Sequence, residues 1–237
     1  MRPSMPSSST PLTPDQQKAQ AALKALEFIH DGQILGLGTG STVHYFLTGL
    51  GQRVQQGLRV RGVPTSQATA AYAKQLGIPL LNNEEPWDID VAVDGADQVD
   101  PQLNLIKGGG GALMREKIVA NAAQQFIVIV DQAKQVPHLG LPFPLPVEIV
   151  PFGWRTTQRH LENLGWPSPL RHRSGQPFLT DNGNYVADLH IPEITNPSAL
   201  QFSLSQIPGV VECGLFLMMT SLVIIGTNSG PVLNRTS

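Results

Sequence analysis

The chain has one cysteine in 237 residues, Cys213, so it can form no intrachain disulfide, and a reducing compartment, the cytoplasm, is expected. With no basic residue near it in sequence, Cys213 reads as a small buried apolar side chain rather than a nucleophile. Charge of one sign is also missing: 16 Lys and Arg stand against 18 Asp and Glu, which leaves no global field to hold DNA or RNA. A small anion would need a local site. No apolar run approaches the ~20 residues that span a bilayer, and the most apolar stretch, residues 215–225, is interrupted by Thr220 and Ser221, so no membrane partner is expected and that stretch reads as buried strand. The Ser- and Pro-rich residues 1–10 have no apolar centre, so they read as a flexible tail, extending to residue 12, and not as a secretory signal. Internal repeats are absent. Metal-ligand spacing is absent too: Asp188 and His190 alternate along one strand face without a third ligand, which reads as a solvated hairpin, and no metal is expected.

What is present is enough apolar content, 41%, to bury a core, together with 23 glycines and 20 prolines that punctuate the chain. Thr13-Pro14-Asp15-Gln16 is a helix start with a hydroxyl cap, an N1 proline and a capping-box glutamine, and the helix is expected to run to about His30. Residues 34–37 read as strand, followed by a glycine turn and a helix whose apolar positions are Val43, Phe46, Leu47 and Leu50. The alternation continues with strands at 58–63, 78–81, 89–93, 103–106 and 126–130, and helices at 66–76 and 112–124. The fold class is therefore α/β: a mainly parallel sheet with helices on both faces, plus a smaller α+β domain. Ligands collect outside the carboxyl ends of such strands, so the glycine- or aspartate-rich segments that follow three of them are expected to share one crevice. Proline at 142, 144 and 146 marks residues 141–146 as a linker. Beyond it lie a strand at 147–150, a helix at 153–164, a hairpin over 178–191 turning at Asp181-Asn182-Gly183-Asn184, and a helix at 197–206. Final apolar strands from Val210 are expected to rejoin the first sheet. The division is residues 1–12 tail, 13–136 with 207–237 as the catalytic domain, and 137–206 as the small one.

Three segments bear on chemistry. Gly36-Leu37-Gly38-Thr39-Gly40 lacks the third glycine and ribose-binding acid of a dinucleotide fingerprint and the lysine of a P-loop. What remains is a helix N-terminus with free amides and the hydroxyls of Thr39, Ser41 and Thr42, which suits a phosphate monoester and equally suits a capped turn. Asp94-Gly95-Ala96-Asp97 sets two carboxylates three residues apart after a buried strand, either to exchange protons with sugar hydroxyls or to cap a loop. Lys107-Gly108-Gly109-Gly110-Gly111 supplies a positive charge and backbone that can approach a ligand closely. Arg115-Glu116-Lys117 follows early in a helix, as a carboxyl near amide dipoles or a solvated charge run. Arg171-His172-Arg173 reads as a solvated loop.

These segments, with Lys134-Gln135-Val136, Leu145-Pro146-Val147-Glu148 and Thr180-Asp181-Asn182-Gly183-Asn184, occur in the order seen in ribose-5-phosphate isomerase A, and the resemblance covers nearly the whole chain after Leu12. It implies a cofactor-independent aldose–ketose isomerase of the non-oxidative pentose phosphate branch, acting on a sugar phosphate, as a homodimer. By that resemblance Glu116 is the general base, Asp94 and Asp97 assist ring opening and manage hydroxyl protons, and Lys107 stabilises the oxyanion. Thr39, Gly40, Ser41, Thr42, Gly95, Ala96, Gly108, Gly109, Gly110 and Lys134 would bind substrate, with Lys18 adding charge at the phosphate. Two departures stand out: Ala133 where the family commonly has serine, and apolar residues 217–221 where it usually has a polar turn, which puts the C-terminal hairpin in question. The competing class is a sugar-phosphate-binding regulatory domain without catalysis, which predicts a DNA-binding helical module for which no room is expected before Thr13 or after Ile225. A sugar-phosphate hydrolase or deaminase would need an activated water and a catalytic histidine that the glycine loops do not supply.

Overall fold

A computed structural model describes residues 11–140 and 142–235, so the tail expected over residues 1–10 lies outside the described residues. Helix α1 (Pro14–Ala25) starts as its capping box dictates: the Thr13 hydroxyl accepts from the Gln16 amide at 3.3 Å and the Gln16 side chain accepts from the Thr13 amide at 2.8 Å. It closes in a 3-10 turn at Leu26–Phe28, just short of His30. Strand β1 (Ile34–Leu37) then turns into α2 (Ser41–Gln55), and β2 (Arg61–Pro64) leads to α3 (Gln67–Gln75), capped by Ser66. Next come β3 (Ile89–Asp94), the short β4 (Gln98–Val99) and β5 (Leu105–Ile106), α4 (Leu113–Ala122) and β6 (Ala123–Asp131). The second half holds β7 (Leu145–Ile149), α5 (Trp154–Glu162), β8 (His172–Arg173), β9 (Gln176–Pro177), β10 (Tyr185–Leu189), α6 (Pro197–Ser205), β11 (Val210–Cys213), β12 (Leu215–Phe216), β13 (Leu222–Thr227) and β14 (Gly230–Arg235).

The central sheet has the order β14-β13-β6-β3-β1-β2, parallel throughout except for the edge strand β14. From β1 the chain steps outward to β2, then returns to place β3 on the other side of β1. This reversal opens a crevice between the carboxyl ends of β1 and β3. Alternate residues of β6 serve different cores: Ile127 and Ile129 pack with Phe46, Leu50 and the α1 alanines, whereas Phe126, Val128 and Val130 pack with Val119, Phe216 and Val223. The two-residue period thus buries both faces of the sheet, as near-continuous apolar strands require.

A second, antiparallel sheet, β10-β7-β11, packs against α5 and α6 around Val147, Ile149, Leu161, Leu189 and Leu204. It corrects two expectations. Pro146 sits inside the buried β7 rather than in a linker: its carbonyl accepts from the Gly214 amide at 2.7 Å, while the Gly214 carbonyl accepts from the Lys107 amide at 2.9 Å, so no acceptor waits for the N–H that proline lacks. Strand β11 pairs with β7 instead of returning to the central sheet, which the chain rejoins only at β13.

Other expected strands also change place. Residues 78–81 make a single bridge, Leu80 to Gly62. Residues 105–106 belong to a small antiparallel sheet, β12-β5-β4, and Leu103 takes a left-handed φ of 61°. The turn at residues 181–184 forms, but its arms do not pair with each other: β10 pairs with β7, and the actual hairpin is β8-β9, turning at Ser174-Gly175. The C-terminal hairpin β13-β14 is intact, and the apolar residues 217–219 precede it as a loop in which Met218 is 91% exposed. Among the described residues no helix is long and apolar enough to cross a membrane.

Candidate active site

Three loops meet at the crevice. Each leaves a carboxyl end of the central sheet or is tied to one. After β1, Gly40 takes φ 124° and N-caps α2 without a side-chain bond, which leaves the first-turn amides and the Ser41 and Thr42 side chains at the mouth of the cleft. After β3, residues 95–97 form the floor, above Asp94 at the strand's end. From β5, the Lys107–Gly111 loop folds over them, its Gly109 amide donating to Asp97 Oδ2 at 2.8 Å. The cleft holds about 520 Å³ and is lined by Lys18, residues 39–42, residues 95–98, residues 107–110, Glu116, Asp131 and Lys134, among others.

Beneath the cleft lies a buried charge cluster. Lys107 is 2% exposed, and its ammonium stands 3.1 Å from Asp94 Oδ2 and 3.4 Å from Glu116 Oε2. It also donates to the Gly95 carbonyl and lies 5.5 Å from the centre of the Phe216 ring. Asp94 Oδ1 accepts from the amides of Gly95 at 2.7 Å and Thr39 at 3.0 Å. A Cβ on Gly38 would stand 2.3 Å from the Asp94 carboxyl, so glycine is required there for the aspartate to fit. Glu116 Oε2 is buried without a hydrogen-bond donor among the described residues.

Two carboxyls therefore face one ammonium. Burial pushes the Glu116 carboxyl up to about 8, the Asp94 charge adds to the rise, and Lys107 opposes it. Burial raises Asp94 as well, against the Lys107 ammonium and the two amides. The amides separate the two: Asp94 has three favourable partners for its charge among the described residues and Glu116 one, which favours the charge on Asp94 over Glu116. Burial would lower the Lys107 pKa, but Asp94, Glu116 and Asp97 outweigh it and keep the ammonium charged.

The family model for ribose 5-phosphate isomerase A (phosphoriboisomerase A) matches residues 61–230. The chain belongs to the ribose 5-phosphate isomerase A family. It is 49% identical to ribose-5-phosphate isomerase A of Bacillus mycoides over 214 residues, 90% of this chain and 96% of that one. The corresponding protein of Cereibacter sphaeroides is 47% identical over an alignment of 239 positions that covers 98% of this chain and 94% of its own length. Among solved structures, a D-ribose-5-phosphate isomerase in complex with phospho-erythronic acid superposes with a TM-score of 0.92 at 40% identity, covering 95% of this chain and all of that one. The ribose 5-phosphate isomerase A of Methanocaldococcus jannaschii gives 0.90 at 39% identity, with 94% and 100% coverage.

In this member of the isomerase A family the expected site residues come together, with two changes of part. Asp94 lies under the cleft, 3% exposed, where it holds Lys107 and the Thr39 amide. The Thr39 hydroxyl turns away into a cluster with Thr65 at 2.7 Å, Ser66 at 2.9 Å and Thr69 at 3.1 Å, so of the three expected hydroxyls two remain at the helix start. Lys18 pairs with Asp15 at 3.1 Å and reaches the cleft, and Lys134 ends a 3-10 turn capped by Asp131, whose Oδ1 accepts from the Ala133 amide at 3.0 Å.

Sequence reasoning missed several supporting residues. Arg171 is not solvated: it pairs with Asp188 and donates to the carbonyls of Gly108 at 2.8 Å and Gly109 at 3.1 Å. Asp188 is thereby engaged, and among the described residues no group of three or more His, Cys, Asp or Glu side chains is arranged to hold a metal ion. Glu148 is fully buried and its Oε1 accepts from Thr180, Asn182 and Asn184, while Arg115 of α4 donates to the Asn182 side chain at 2.8 Å. The Thr180-Asp181-Asn182-Gly183-Asn184 motif is thus a bracket between β7 and the helix that bears Glu116.

Proposed function

We propose that this chain interconverts D-ribose 5-phosphate and D-ribulose 5-phosphate in the non-oxidative pentose phosphate branch, moving a proton between C2 and C1 through an enediolate. The observation that carries this reading is the buried Glu116 carboxyl, poised near neutrality, beside the buried Lys107 ammonium and next to an open helix N-terminus. The substrate phosphate would sit on the first-turn amides of α2 and the hydroxyls of Ser41 and Thr42, with Lys18 and Lys134 adding charge. As carboxylate, Glu116 takes the proton from C2. Negative charge then develops on the C1 oxygen, where Lys107 stabilises it without reorganisation. Asp97, which lines the cleft, passes the hydroxyl proton between the oxygens on C2 and C1, and Glu116 returns its proton to C1.

A purely regulatory sugar-phosphate domain would have no use for a buried carboxyl poised near neutrality at the cleft. An assay on ribose 5-phosphate, with ribose as the phosphate-free control, separates the two: turnover of the phosphate ester alone is expected, and binding without turnover would overturn the proposal. Phospho-erythronic acid, held by the related solved enzyme, is expected to compete with substrate. The same reading includes a cytoplasmic homodimer, for which light scattering should give twice the 25.5 kDa chain mass.

A further inference from the structure

We propose that Arg171, anchored by Asp188, is a positioning residue that sets the orientation of two peptide planes in the glycine loop, so that the Gly109 amide holds Asp97 and the Gly110 amide is turned toward the cleft; this rests on the isomerase reading above. The pair comes from the small antiparallel unit, on β10 and the segment leading into β8, and both side chains are only 16% exposed. Asp188 takes the guanidinium in two bonds, through Nε at 2.9 Å and through Nη2, which fixes the plane of the fork. The remaining nitrogen, Nη1, reaches the carbonyls of Gly108 and Gly109 together. In a trans peptide the carbonyl and the following N–H point in opposite directions. Holding the Gly108 carbonyl therefore aims the Gly109 amide the other way, and that amide is found on Asp97 Oδ2. Holding the Gly109 carbonyl aims the Gly110 amide likewise, and Gly110 lines the cleft.

Within the loop, a single turn bond, from the Gly111 amide to the Gly108 carbonyl at 2.9 Å, constrains the arrangement, and it leaves the Gly109 carbonyl to Arg171. Four consecutive glycines have wide conformational freedom, and Gly108 and Gly111 occupy left-handed φ values of 106° and 84°. Phe178 closes the other side: its ring packs where a Cβ on Gly111 would stand, at 2.2 Å, and the Arg171 guanidinium lies 5.9 Å from its centre. The loop is thus gripped from outside the central sheet, by residues 60 or more positions away in sequence. Lys107 immediately precedes it, and Asp97 depends on it for a hydrogen bond, so its orientation bears on the proton-handling groups more than on the phosphate end at α2.

The test compares wild type with Arg171→Ala, Arg171→Lys and Asp188→Asn, with kcat and KM for ribose 5-phosphate, the inhibition constant of inorganic phosphate, and urea unfolding measured for each. Arg171→Ala should lose about 100-fold in kcat, as expected for misplacement of reacting groups, with KM and phosphate inhibition changed less than about threefold. Lysine cannot form the fork and should restore little of the loss. Asp188→Asn keeps Arg171 but loosens its plane, so it should fall between Ala and wild type, and it serves as the test if the Arg171 variants do not fold. Variants that are less stable yet turn over normally per folded molecule, or that raise KM with kcat intact, would overturn the proposal. A wild-type chain inactive on ribose 5-phosphate would instead sink the isomerase reading itself.

Discussion

Glu116 has a carboxyl oxygen with no hydrogen-bond donor among the described residues, a cation at 3.4 Å and a second carboxylate sharing that cation. Its proton is held in the folded state up to about pH 8 and released in the unfolded chain near the ordinary 4.5. Between those values the native state binds more protons than the unfolded state, so this group stabilises the fold at low pH and the contribution is lost as pH rises from 4.5 to 8. Glu116→Gln, which stays neutral, should therefore gain on wild type across that window by up to about 1.4 kcal/mol per pH unit, read from urea unfolding at several pH values. Gln stability that runs parallel to wild type would mean an ordinary Glu116. In its proposed role as base Glu116 must be ionised to act, so kcat/KM of the wild type should rise about tenfold per unit toward a plateau above pH 8. Gly38→Ala tests the other carboxyl: the added methyl meets Asp94 and should cost activity out of proportion to stability, because Asp94 is what holds Lys107 in place.

At the scale of the element, the turn from β1 into α2 concentrates what binds anions: an uncapped N-terminus behind a left-handed Gly40, with Ser41 and Thr42 beside it. Replacing Ser41 and Thr42 together by Ala should raise KM strongly while kcat changes little, since charge-assisted hydrogen bonds contribute roughly 1.5–3 kcal/mol each. An unchanged KM would move the phosphate to another part of the cleft. This turn and α1 were legible in the sequence because their signals are local: capping residues, glycines and a 3.6-residue apolar period. β5 and β7 were also expected as strands, but the sheets they join and the start of β7 at Leu145-Pro146 were not, because those depend on distant partners. Pro146 fits a strand where the Gly214 carbonyl is already bonded to Lys107, and residues 178–180 do not pair along β10 because β7 takes one of its edges and residues 167–171 the other. Thr39 was misjudged for the same reason, its hydroxyl being claimed by Thr65, Ser66 and Thr69 of the next β-α turn.

Over the whole molecule, the order of strands in the central sheet puts the residues after β1 and β3 on the same crevice, and the small unit supplies the grip on the glycine loop and, through Glu148 and Arg115, on α4. The chemistry-bearing segments were visible in sequence; the clamp was not, because Arg171 and Gly108 are 63 residues apart and no local pattern joins them. In the role proposed for Lys107, its ammonium stabilises the oxyanion charge that a Lewis acid otherwise would, so turnover should survive exhaustive chelation, and activity that vanished and returned with a divalent ion would remove that role from Lys107. The most direct test of the account follows the proton itself: ribose 5-phosphate is incubated in deuterated solvent with wild type and with Glu116→Gln, and both turnover and loss of the C2 proton are measured by NMR. The account predicts exchange and turnover in wild type and a parallel fall of about 10²–10⁴-fold in both for the folded Gln variant, with substrate still bound. A Gln variant that exchanges and turns over at the wild-type rate would contradict it.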